Sequence, residues 1–81
     1  MTSDDLEELI ALLMNGERSE IRKKVRWIVL YGSSMERAAV ISIGEKHLTN
    51  KELIYLSKLS PMYKSFAEKA LLKRAIKDFV E

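Results

Sequence analysis

The 81 residues suffice for one domain and not for two. Hydrophobic residues make up 47% and charged residues 32%, a balance that excludes a disordered chain. Fourteen basic against 12 acidic residues leave a net charge of +2, too mild by itself to imply a polyanionic partner; the lack of cysteine excludes disulfides, a thiolate nucleophile and cysteine-bound metal.

A first helix is predicted over about 4–14. Thr2 or Ser3 caps it, and Asp4 and Asp5 place carboxylates in its first turn. Leu6, Leu9, Ile10 and Leu13 recur along it at i, i+3, i+4 and i+7, and Asn15-Gly16 stops it. The second helix, about 19–31, begins at Ser19 and carries an inner stripe of Ile21, Val25, Ile28 and Val29. It ends in five consecutive apolar residues, Trp27 to Tyr31. A helix apolar on every side has neighbours on every side, so this segment is expected to be a central post sheathed by the other four helices. Ser33 and Glu36 form a capping box opening a third helix, about 34–43. Gly16, Gly32 and Gly44 each stand just past a helix, where a left-handed residue is wanted.

Thr49 and Glu52 form a second capping box, opening a fourth helix over about 50–59 with Leu53, Ile54, Leu56 and Leu59 as its apolar residues. Ser60-Pro61 is an N-cap followed by proline at the first helical position, where its missing N–H costs nothing. The fifth helix, about 61–80, carries Tyr63, Phe66, Ala67 and Ala70, then Leu71, Leu72, Ala75, Ile76 and Phe79. Its apolar face shifts near Ala70, so different partners are expected along its length. No segment alternates with period two, and no sheet is expected. Glu8-Leu9-Ile10-Ala11-Leu12 returns as Glu52-Leu53-Ile54-Tyr55-Leu56, but two such units fall short of a solenoid.

Little here carries chemistry. His47, the one histidine, sits in a Gly44–His47 loop with no second ligand type beside it, and reads as a surface residue. Asp4, Asp5, Glu7 and Glu8 serve the helix dipole rather than acid–base catalysis. The serines are explained mostly by capping, and no phosphate-binding glycine loop or nucleophile motif is present. No catalytic, cofactor-binding or metal-binding residue is assigned, and an enzyme is not expected. Basic residues do cluster. Lys69, Lys73 and Lys77 recur at i, i+4, i+8 with Arg74 alongside, and Thr49 to Ala70 has some helix-turn-helix character, with Lys64 near the start of its second helix. Nucleic-acid binding through Lys64, Lys69, Lys73, Arg74 and Lys77 is the alternative reading, and a helical protein-interaction module is another.

Caps at nearly every helix start, glycine stops, short loops and the absence of any polar constellation all agree with one another. In this the chain resembles computationally designed all-α proteins. The resemblance implies a thermostable, self-standing fold with no evolved activity, no cofactor and no partner, and a monomer. No apolar run approaches the roughly 18 residues of a membrane span, and the start is acidic where a secretory signal is basic. No membrane partner is expected, and a cytosolic location is the default. The expected fold is a single all-α, five-helix globular domain, 1–81, with short capped loops and helices crossing at mixed angles around the second.

Overall fold

The computed structural model describes residues 4–80, less the side chain of Val80; the expected Thr2 or Ser3 cap lies outside this range. The chain is all-α. Five α-helices follow in order: α1 (Asp4–Asn15), α2 (Arg18–Tyr31), α3 (Ser34–Ile43), α4 (Asn50–Leu59) and α5 (Pro61–Val80), with a short 3-10 turn at Glu45–His47 between α3 and α4. No strand occurs among the described residues. The helices gather into two units, Met1–Leu48 and Thr49–Glu81.

In the first unit α2 is the hub: it packs against α1, α3 and the 3-10 turn, and α1 also meets α3. The core holds Leu9 of α1, Ile21, Val25, Ile28 and Val29 of α2, and Val40 and Ile41 of α3. The buried set of α2 is the predicted inner stripe, residue for residue. The sheathed post, however, is not what forms. Trp27, Leu30 and Tyr31 are exposed, Tyr31 at 69%. At about 100° per residue these three lie on the arc facing away from Ile28 and Val29, and no described element of the unit covers that arc. Ile10 and Ile43 are exposed for the same reason, each on the outer face of a helix packed on one side only.

The starts of α3 and α4 are fixed as predicted. The Ser33 hydroxyl oxygen accepts from the Glu36 N–H at 3.2 Å while the Glu36 carboxylate accepts from the Ser33 N–H at 2.7 Å. Thr49 and Glu52 repeat this at 3.1 and 2.8 Å. Two orphan amides are thereby satisfied at each helix start. The N-cap of α2 is Glu17 rather than Ser19; the Glu20 carboxylate accepts from the Glu17 N–H at 3.3 Å, and Ser19 falls inside the helix. At the other end of α2, Arg37 donates from Nε to the Val29 carbonyl at 3.0 Å and from Nη2 to the Leu30 carbonyl at 3.1 Å. A side chain of α3 thus satisfies the unpaired last turn of its neighbour.

The glycines do not take the left-handed conformation expected of them: none of the described ones has positive φ. Gly32 has φ −74° and ψ 165°, and its N–H donates to the Ile28 carbonyl at 2.7 Å. What glycine supplies there is room. A Cβ on Gly32 would lie 2.5 Å from that carbonyl oxygen and 2.8 Å from Ile28 Cγ2.

The second unit is a hairpin in which α4 and α5 pack against each other across the single residue Ser60. The Ser60 hydroxyl accepts from the Met62 N–H at 3.2 Å, the predicted cap before Pro61. Leu53 and Leu56 of α4 and Tyr63, Ala67 and Ala70 of α5 are buried, while Ile54 and Leu59 of the predicted apolar set are exposed. The helix-turn-helix likeness fails at its turn, since one residue stands where three or four are usual.

Candidate docking surface

Along α5 the buried residues Tyr63, Ala67 and Ala70 fall at i, i+4 and i+7 and define the packed face. Ten residues of α4 span about 15 Å and twenty of α5 about 30 Å. The limit of α4 is marked by its first residue, Asn50, whose Oδ1 accepts from Arg74 Nη1 at 2.7 Å. Past Arg74 every residue from Ala75 to Phe79 is exposed. The shift of the apolar face near Ala70 was expected to bring α5 against new partners; instead the distal apolar residues are left open. Leu72, Ile76 and Phe79 are 61%, 54% and 92% exposed. They again fall at i, i+4 and i+7, and at 100° per residue this stripe lies roughly 180° from the packed face.

One shoulder of that stripe is basic. Lys69, Lys73 and Lys77 line it at successive turns, all exposed and without an ion pair to any described residue. The exposed Met62 and Phe66 continue the same shoulder toward the start of the helix. The five basic residues singled out from sequence are thus separated. Lys69, Lys73 and Lys77 come together; Arg74 lies on the packed face bonded to Asn50; Lys64 lies on the far side of α5 from Lys73.

Other polar features are structural. Lys24 Nζ pairs with Asp5 Oδ1 at 2.8 Å and Glu8 Oε2 at 2.9 Å, clipping α2 to α1, and sits 5.3 Å from the Trp27 ring centroid. Burial would lower the Lys24 pKa, but the hydrogen bonds and charges of Asp5 and Glu8 outweigh it and hold it above its ordinary value. The carboxylates of Asp5 and Glu8 therefore do more than complement the dipole. Among the described residues no group of three or more His, Asp or Glu is placed to hold a metal ion. No described helix is long and apolar enough to cross a membrane.

His47 differs from its surface reading. It is half-buried, and its Nδ1 is enclosed without a hydrogen-bond partner among the described residues. Arg22 Nη1 donates to its carbonyl oxygen at 2.6 Å. Burial first, then the charges of Lys46, Arg18 and Arg22, hold the His47 pKa below the usual histidine value. A folded-state value below the unfolded one, about 6.5, means that the unfolded chain takes up the proton first. The stabilisation is fully present above about pH 6.5 and is lost as the pH falls from there through the lowered folded value. Urea midpoints between pH 7 and 5 should drop more for the wild type than for His47→Gln; parallel curves would contradict this.

No family model, curated protein or solved structure matches the chain.

Proposed function

We propose that this protein is a non-catalytic helical interaction module whose docking surface is the distal half of α5. The observation that carries the reading is the exposed stripe of Leu72, Ile76 and Phe79 opposite the packed face. Covering such side chains is worth about 1.5–3 kcal/mol each when burial is complete, and the hairpin leaves that energy unused. Apolar residues scattered singly need no explanation, but three in register on one helix face make a continuous surface.

The competing reading is a self-standing fold with no evolved partner, suggested by the side-chain caps on α3, α4 and α5. It predicts a thermal midpoint above about 90 °C. A surface kept clear of apolar stripes is also part of that design style, and α5 departs from it. Nucleic-acid binding keeps only Lys69, Lys73 and Lys77 on one surface, and absence of binding to random duplex DNA at low salt would end it.

The triple variant Leu72→Gln/Ile76→Gln/Phe79→Gln tests the reading. Glutamine keeps helix propensity at least as high as isoleucine or phenylalanine. Its unfolding free energy should stay within about 1 kcal/mol of wild type, while retention of the native protein on a phenyl-substituted column falls. A destabilisation of more than about 2 kcal/mol would show that the stripe belongs to the core.

A further inference from the structure

Resting on the docking reading, we infer that the distal half of α5 inserts as a helix into an apolar groove of a partner protein, with carboxylates along one rim of that groove. Three features of the hairpin point to this occupant. The anchors Leu72, Ile76 and Phe79 have the i, i+4, i+7 spacing with which an amphipathic helix reads a groove. Their Cα atoms span about 10 Å along the axis. The segment also projects: from Ala75 to Phe79 the residues are exposed all round the helix, so two walls can close on it. Finally, the charge is one-sided. Lys69, Lys73 and Lys77 stand about 6 Å apart along one shoulder, whereas over the same turns the opposite shoulder presents Glu68, Ala75 and Asp78; Lys64, on that side, stands about 12 Å before Leu72 along the axis.

That asymmetry separates the possible occupants. An anionic lipid surface is served by a helix with cations on both sides of its apolar face, where they snorkel to the headgroups. Glu68 would there face like charge. A second copy fares no better. An isologous antiparallel pairing through the stripe sets the lysine shoulder of one chain against the same shoulder of the other. A groove with one acidic rim meets the lysines, and its other rim is free to be neutral.

Calcium-loaded calmodulin, whose methionine-rich apolar groove opens on calcium binding, serves as the probe, with the full-length chain titrated into it by calorimetry. Binding at about 10 µM or tighter, lost on chelating calcium, is expected. Ile76→Asp should weaken it at least tenfold and Ile76→Leu should not; Lys73→Glu/Lys77→Glu should weaken it about tenfold at 50 mM salt and much less at 500 mM. Far-UV circular dichroism of each variant checks that the helices persist. Absence of binding to the groove overturns the inference. Two control titrations then locate the failure. Partition onto phosphatidylserine/phosphatidylcholine vesicles, or self-association by sedimentation, abolished in either case by Ile76→Asp, leaves α5 as the docking surface but replaces the partner. If neither occurs and the triple glutamine variant is retained on the phenyl column like wild type, the docking reading falls as well.

Discussion

Ile28→Ala is expected to lower the unfolding free energy by about 3 kcal/mol, whereas Tyr31→Ser, three residues along the same helix, changes it by less than about 1 kcal/mol. Both residues belong to the apolar run that closes α2, and composition alone would rank the aromatic as the greater loss. Geometry reverses the order. Ile28 is fully buried in the company of Val25 and Val29, and truncating it leaves a cavity as well as lost contacts. Tyr31 is largely exposed, and its ring tilts against that of Trp27, with centroids 5.5 Å apart. Such a pair contributes about 0.5 kcal/mol at an exposed site, the lower end of its range. Urea unfolding followed by circular dichroism distinguishes the two. Equal losses would mean that Trp27 to Tyr31 is covered on all sides after all.

That pair of residues also marks where sequence reasoning holds and where it overreaches. The stripe Ile21, Val25, Ile28, Val29 specifies a direction around the helix, because its spacings of three and four keep to one face. A run of consecutive apolar residues specifies no direction, and reading it as encirclement assumed neighbours that α2 does not have. The capping boxes at Ser33 and Thr49 were legible because each depends on two side chains three residues apart. Glu17 was not, because glutamate is a weak cap signal beside Ser19. The glycine stops were placed correctly at the ends of helices but for the wrong backbone state; close approach to Ile28, not positive φ, selects Gly32. His47 departs from its surface reading because the 3-10 turn that carries it packs on α2, where Arg22, 25 residues away in sequence, donates to its carbonyl oxygen. As for the candidate surface, Leu72, Ile76, Phe79 and the lysine row were all visible. What sequence could not supply was which face of α5 packs on α4: Tyr63, Ala67 and Ala70 form it, and the stripe lies opposite, so it is surface and not core.

The second large effect tests the opposite faces of α5. Ala67 is fully buried at the centre of the packed face, whereas Ala75 is exposed beyond the end of α4. Ala67→Leu inserts a branched side chain where the helix has no free volume, and overpacking of this kind costs about 1–3 kcal/mol. Ala75→Leu adds the same atoms in solvent, and leucine is nearly as good a helix former as alanine, so stability should change by less than about 0.5 kcal/mol. Surface chemistry should move the other way. Ala75 adjoins Phe79 on the helix face, so leucine there widens the apolar stripe and lengthens retention on a phenyl column. Ala67→Leu should shift the urea midpoint without changing the slope of the transition. If Ala75→Leu proved as destabilising as Ala67→Leu, the distal half of α5 would have to be packed against something. The surface on which the docking function rests would then not exist.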